Sequence, residues 1–234
     1  MPPAPTADRA GVVVAIDGPS GSGKSSVSRG VARARGLRYL DTGSTYRALA
    51  WWMLDHGVDV EDAEAVAALA DKPIVVVGTD PEAPAISVDG IDVAGPIRER
   101  AVTNAVSAVS AVPRVRKLLT DLQRDVIGAG GIVVEGRDIG TVVAPDAHVK
   151  IFLTASPEAR AERRRAELVA DAGATLDVTS QEMARRDRLD SSRRHAPLTK
   201  AGDAHEVDAT ALGLPEVIDM VLGLVDGALC EGAK

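Results

Sequence analysis

Nine consecutive residues of this chain, Gly18-Pro19-Ser20-Gly21-Ser22-Gly23-Lys24-Ser25-Ser26, have the types and spacing that hold a phosphate chain. Gly18 through Ser25 satisfies G-x-x-x-x-G-K-[ST] in full. Gly18, Gly21 and Gly23 let the backbone bend so that its N–H groups converge on anionic oxygens. A helix starting at the end of the loop adds its positive dipole end. Lys24 is long enough to reach the β- and γ-phosphates, and the Ser25 hydroxyl is a ligand for Mg²⁺. The loop binds ATP or GTP.

Arginines away from the loop suggest what happens to the phosphate. Arg137 and Asp138 follow the apolar run Ile132–Glu135. In a parallel α/β sheet ligands bind at the carboxyl ends of such runs. The pair reads either as a surface salt-bridging turn or as a handle for an anionic, donor-bearing ligand. Glu135 reads either as the acid that helps hold Mg²⁺ or as an exposed loop acid. Arg186, Asp190 and Arg193 fall at i, i+4 and i+7, so one helix face presents plus, minus, plus. Ordinary surface pairing of that kind is worth about 0.2–0.5 kcal/mol per pair. Arg160, Arg163, Arg164 and Arg165 crowd one further segment, where like charges make more sense if polyphosphate neutralises them. Arg47 and Arg116 sit on two other helical segments. Guanidinium forks match phosphate oxygens and the charge of a transferring phosphoryl group.

No strong general base accompanies these groups. His56, His148, His195 and His205 are scattered and lack metal-ligand spacing. A hydroxyl acceptor would call for a base. A phosphate acceptor, with second pKa about 6, is already an anion at neutral pH and needs only positioning and charge neutralisation. An arginine-rich, base-poor set therefore points to phosphoryl transfer onto a phosphate.

The elements that must position these residues alternate. Val12–Asp17 is a β-branched run suited to a buried parallel strand. The segment after Lys24 reads as a helix ending at Gly36, Leu37–Thr42 as a strand, and Ser44–Gly57 and Asp59–Ala70 as helices. Between about residues 72 and 97 short β-branched pieces replace this pattern, and Asp89-Gly90 signals a hairpin. Two helical segments then meet at Pro113 and stop at Gly128, Gly130 and Gly131. Gly131–Gly136 and His148–Thr154 read as buried strands. Ser156–Gly173 reads as a helix with serine at its cap and proline at its first position. Ser180–Arg194 is a further helix, His205–Thr210 a last strand and Leu214–Leu229 an amphipathic terminal helix. Strands separated by helices imply an α/β fold, a parallel sheet covered on both faces.

Composition narrows the function. A chain of 234 residues, 45% hydrophobic and 26% charged, can bury one sizeable core with a small appended lobe. A net charge of −7 argues against a general nucleic-acid binder, and 2% aromatic residues against a base-stacking platform. The lone Cys230 cannot form an internal disulfide. Met1–Ala10 carries Pro2, Pro3 and Pro5 without an apolar core and reads as a flexible leader, not a signal peptide. No apolar run approaches the about 20 residues of a membrane span. A cytoplasmic protein, with no membrane or nucleic-acid partner, is expected. A GTPase would show N/T-K-x-D, but Thr199-Lys200-Ala201-Gly202-Asp203 is one residue too long and follows a proline.

Five stretches in order carry a resemblance: IDGPSGSGKSS, LDTGSTYRALA, SAVPRVR, EGRDIGTVVAPDAHVKIFLTAS and RDRLDSSRRHAPL. Together they resemble bacterial-type cytidylate kinases, which are nucleoside monophosphate kinases, over nearly the whole chain after the leader. The resemblance implies a P-loop NTPase-type core over residues 11–42, 112–158 and 195–234. It also implies a monophosphate-binding lobe over 43–111, with the β insert at about 72–97, and a short lid over 159–194. It implies transfer of the γ-phosphoryl group of ATP, with Mg²⁺, to CMP or dCMP; a monomer is expected.

By resemblance, Thr42 and Tyr46 line the acceptor site, and Arg47, Arg137 and Arg186 clamp the acceptor phosphate. Ser107, Arg116 and Asp138 read the cytosine edge, and Asp190 holds the sugar hydroxyls with help from Arg193. A lid arginine, with Arg163 the first choice, reaches the transferring phosphoryl group; Lys24, Arg137, Arg163 and Arg186 form the catalytic set. Two positions depart from the family pattern. Thr42 stands where serine is more common, which keeps the hydroxyl and adds a methyl. Ser25-Ser26 replaces a common Gly-Thr, and Ser25 still offers its hydroxyl to the metal. The competing expectations are a kinase for another monophosphate or a hydroxyl metabolite, and a regulator that merely binds ATP.

Overall fold

The computed structural model describes residues 11–167 and 176–232. The expected leader and the end of the segment expected to continue as helix to Gly173 lie outside the described residues. The chain runs β1 (Val13–Asp17), α1 (Lys24–Arg35), β2 (Arg38–Asp41), α2 (Thr42–Asp55), α3 (Ala63–Leu69), β3 (Val75–Val77), β4 (Ile86–Val88) and β5 (Ile91–Asp92). It continues through α4 (Arg100–Ala111), α5 (Pro113–Ile127), β6 (Ile132–Gly136), β7 (Val149–Thr154), α6 (Pro157–Glu167), α7 (Leu176–Ser191), β8 (His205–Asp208) and α8 (Leu214–Gly232).

Five strands form one parallel sheet in the order β2-β6-β1-β7-β8. Side chains alternate across a strand, so β1 feeds two cores. Val14 and Ile16 pack with Val27, Val31, Val221 and Val225 of α1 and α8. Ala15 faces the other side with Leu40, Ile127 and Ile139. Burial on both faces is why this strand reads as an unbroken apolar run. A separate antiparallel sheet, β3-β4-β5, packs with α2, α4 and α5 around Leu49, Met53, Val88 and Leu119. Its β4–β5 hairpin turns at Asp89 and Gly90, both at positive φ (51° and 81°), as the Asp-Gly pair requires.

Helix ends follow local chemistry. Gly36 closes α1 in the left-handed region, its N–H bonded to the carbonyls of Ala32 and Arg33. Asp41 caps α2 by accepting from the Ser44 N–H. That cap starts α2 at Thr42, so Thr42 is the first helical residue and not the last residue of the strand before it. Helix α7 spans Leu176–Ser191, beginning earlier and ending earlier than Ser180–Arg194. The chain folds back at its end, where the Leu198 N–H takes the Asp190 carbonyl. A π-helical turn over Ile139–Val143, right after β6, had no counterpart in the sequence pattern. No described helix is long and apolar enough to cross a membrane.

Candidate active site

The phosphate loop leaves β1, the central strand of the sheet, at its carboxyl end. Gly18 is there because a Cβ would lie 2.0 Å from the Leu153 carbonyl oxygen of neighbouring β7. Gly21 has φ +72°, and its Cβ would meet the Arg160 carbonyl at 2.8 Å, so the apex of the loop touches α6. Lys24 opens α1 and donates from Nζ to the Pro19 carbonyl at 2.7 Å. Burial and the nearby Arg137 push its amine down to about 7, with Glu135 and Asp17 opposing. Phosphate oxygens beside Nζ would favour the charged form again.

On one side of Lys24 lies an oxygen-rich patch. Glu135, at the end of β6, is 3% exposed, so it is not a loop acid. The Tyr39 hydroxyl donates to its Oε1, and the Ser25 hydroxyl bonds the same carboxylate. Burial, then the charge of Asp41, raises the Glu135 carboxyl to about 7. Among the described residues no group of three or more His, Cys, Asp or Glu forms a metal cage. A lone hydroxyl and a carboxylate beside a phosphate loop fit Mg²⁺, which keeps several waters and takes its other oxygens from phosphates.

The same patch lines a cleft of about 410 Å³ that also takes in residues of the phosphate loop, both sheets and α7. Thr42, Tyr46, Arg47, Ser107, Arg116, Arg137, Asp138, Arg186, Asp190 and Arg193 all line it. Residues as far apart in sequence as Ser25 and Arg193 thus line one cleft. Arg47 pairs with Asp41 at 2.7 Å. Arg137 Nε bonds Asp190 Oδ2 at 2.9 Å and its Nη1 bonds the Gly18 carbonyl at 2.8 Å. Arg193 pairs with Asp190 from just beyond the end of α7. Burial alone would raise the Asp190 carboxyl, but Arg137 and Arg193 outweigh it and hold it down at about 2.

Asp138 does not pair with its neighbour Arg137. Its Oδ2 takes the Arg116 guanidinium, which lies over the Tyr46 ring 5.4 Å from the centroid. Burial raises the Asp138 carboxyl despite Arg116. Arg186 is the cation of the set whose charge its surroundings disfavour. Its Nε is buried without a hydrogen-bond partner among the described residues. Burial, then repulsion from Arg137, brings its guanidinium down to about 10, Asp190 opposing and Arg47 and Arg164 adding to the repulsion. Buried donors left unpaired are costly. Clustered guanidinium groups of this kind match phosphate oxygens in charge and geometry.

Residues 14–227 match the family model described as cytidylate kinase. The chain belongs to that family. A cytidylate kinase of Streptomyces coelicolor is 60% identical over 95% of this chain and 95% of its own. One from Streptomyces griseus is 59% identical over 94% of each. A solved structure of an uncharacterized protein from Eubacterium ventriosum has TM-score 0.50 over 93% of this chain and 99% of its own, at 11% identity, a likeness of fold alone.

One residue of the family-derived set lies apart from the rest. Arg163 donates to the carbonyls of Ser22 (3.3 Å) and Ala209 (2.5 Å), tying α6 to the outer side of the loop. Arg164, its neighbour, lines the cleft instead. The helical register decides this: adjacent residues point about 100° apart, and the sequence does not say which one faces the loop. Three positions escaped the sequence reading. Asp41 holds Arg47, and its place before a helix, three residues from Ser44, was a legible cap signal. Tyr39 looked like an ordinary strand aromatic. Asp187 accepts from Arg160 (2.5 Å) and from the Ser20 N–H (3.4 Å), which binds both α6 and α7 to the loop.

Proposed function

We propose that this cleft performs in-line transfer of the γ-phosphoryl group of ATP to CMP or dCMP, giving ADP and CDP or dCDP. The observation that carries the reading is one cleft lined by a phosphate loop and by an arginine cluster in which Arg47, Arg116, Arg137, Arg186 and Arg193 outnumber their carboxylates Asp41, Asp138 and Asp190. Arg186 Nε, buried and without a hydrogen-bond partner among the described residues, is its sharpest element. Loop amides, Lys24 and the backbone of Gly18–Ser26 hold the donor phosphates. Ser25, with Glu135 behind it, holds Mg²⁺, which when bound neutralises charge on the donor phosphates. Arg47, Arg137 and Arg186 clamp the acceptor phosphate in line with the donor, and the tie from Arg137 to Gly18 sets the two ends in register. Arg164 of α6, with Arg163 beside it, faces the charge that develops during transfer.

Asp138 Oδ2 is engaged by Arg116, and Oδ1 is left to accept from the exocyclic amine of cytosine. Arg116 and Ser107 donate to the acceptor edge of the base. Asp190, ionised at all working pH by its two arginines, accepts from the sugar hydroxyls with Arg193 alongside. No histidine lines the cleft among the described residues, and each lining carboxylate already has a partner. That suits an acceptor that is already an anion. Closure of the 159–194 lid and the 43–111 lobe over the 11–42, 112–158 and 195–234 core excludes water during transfer. A cleft complete within one chain supports a monomer, and free nucleotides as substrates support the cytoplasm.

A coupled assay for ADP release over CMP, dCMP, UMP, AMP, GMP and dTMP tests this. Fastest turnover is expected on CMP or dCMP. Fastest turnover on another monophosphate overturns the specificity, and ADP release independent of any acceptor overturns the kinase reading.

A further inference from the structure

One buried acid at the centre of the sheet has no part in the scheme above. Asp17 is the last residue of β1 and is 4% exposed. Its Oδ1 accepts from the Ile139 N–H at 2.8 Å and its Oδ2 from the Gly140 N–H at 2.7 Å. Those amides open the π-helical turn Ile139–Val143, where no preceding turn can satisfy them. The β1–β6 ladder ends at the Asp17–Gly136 pair. Beyond it, Arg137 and Asp138 have no strand partner to hold them.

We infer that Asp17 is a positioning residue: its carboxylate fastens the turn carrying Arg137 and Asp138 to the strand that launches the phosphate loop. The inference rests on the proposed roles of those two residues and extends them to the group that places them. Donor and acceptor ends meet at Asp17. Gly18 and the loop continue from it along the chain, and the acceptor-side turn hangs from its side chain. The Arg137–Gly18 bond at 2.8 Å is the second tie across the same gap. Space there is tight, since a Cβ on Gly140 would lie 3.4 Å from Asp17 Oδ2 and 3.2 Å from Lys150 Cδ. Burial raises the Asp17 carboxyl to about 6, the two amide bonds opposing. An anion kept at that penalty, where a neutral acceptor would fill the space, answers to the need for two acceptors aimed at two amides.

Asp17→Asn keeps the volume but has one acceptor oxygen, and its NH₂ faces the other amide. It also removes the buried charge, so the variant is expected to fold; Asp17→Ser, with one hydroxyl acceptor and no charge, is made beside it. Both are assayed for kcat and KM with CMP and UMP, for affinity toward a non-hydrolysable ATP analogue, and for Tm. The expected result is a 10- to 100-fold fall in kcat/KM for CMP, on the order of one or two lost hydrogen bonds. Analogue affinity stays within about threefold. The ratio of kcat/KM for CMP over UMP narrows at least fivefold, which a residue that merely supports folding does not do. Unchanged kcat/KM in both variants, or loss of analogue affinity in proportion to CMP activity, overturns the inference. Asp138→Asn runs in parallel. If it leaves the CMP-to-UMP ratio intact, base reading by Asp138 fails. Asp17 is then upheld, through Arg137, only by a tenfold fall in kcat at unchanged analogue affinity, and is overturned without it.

Discussion

Replacing Asp190 with Asn removes the one carboxylate that neutralises the deepest cations of the cleft. Asp190 is 5% exposed at its side chain and is bonded by Arg137 at 2.9 Å, by Arg193, and by the Ser107 hydroxyl at 3.5 Å. Its folded pKa of about 2 lies below the ordinary value of 3.8. A carboxylate depressed in this way contributes stability that is fully present above the unfolded pKa and is lost as pH falls through the folded one. A shift of roughly two units corresponds to about 2–3 kcal/mol. Leaving buried charges without their partner costs on the order of 3–5 kcal/mol. The variant should therefore lose between about 2 and 5 kcal/mol, or roughly 5–15 °C in Tm for a chain of this size.

Thermal and urea unfolding at pH 7 reads this directly. The difference from the parent should be flat between pH 8 and 5 and should shrink only below about pH 4. Inorganic phosphate, an anion for the same arginines, should recover part of the loss in the variant and stabilise the parent less. A Tm within 1 °C of the parent, or an equal phosphate effect on both, would refute the claim that Asp190 holds this cluster together.

Asp138→Ala should lower kcat/KM for CMP by about 10- to 100-fold, the range of a hydrogen bond to a charged group, with KM for ATP within about threefold. Equal losses toward both substrates would remove Asp138 from base reading. Arg164→Gln should lower kcat more than Arg163→Gln, because Arg164 faces the cleft while Arg163 is spent on two carbonyls. Single-turnover kinetics separate the two, and a larger loss at Arg163 would restore it as the residue that meets the transferring group.

The phosphate loop was legible because its glycines, lysine and serine act locally, within nine residues whose spacing is itself the geometry. The same holds for the Asp89-Gly90 hairpin and the proline that opens α5. Arg137 and Asp138 were visible as a pair at a strand end, legible either as a salt-bridging surface turn or as a handle for a ligand. In the structure each binds a partner from another helix, Arg137 to Asp190 of α7 and Asp138 to Arg116 of α5, because the two residues sit in the bend between β6 and the π-helical turn, outside any regular element. Arg163 and Arg164 show the same limit: a helix face is legible as a pattern, but which face meets the loop depends on how α6 packs.

By itself the sequence determined that a phosphate loop is present and that the sheet is parallel with a small antiparallel insert. Both follow from residue types and their spacing along the chain. Only the tertiary structure decided which charges oppose which. It buried Glu135 beside Tyr39, set Asp190 between Arg137 and Arg193, left Arg186 Nε without a partner among the described residues, and bonded the turn that follows Arg137 and Asp138 to Asp17. Apart from the local Arg193–Asp190 pair, those contacts join residues 53 to 123 positions apart. Their electrostatics come from burial and distance, which no local pattern encodes.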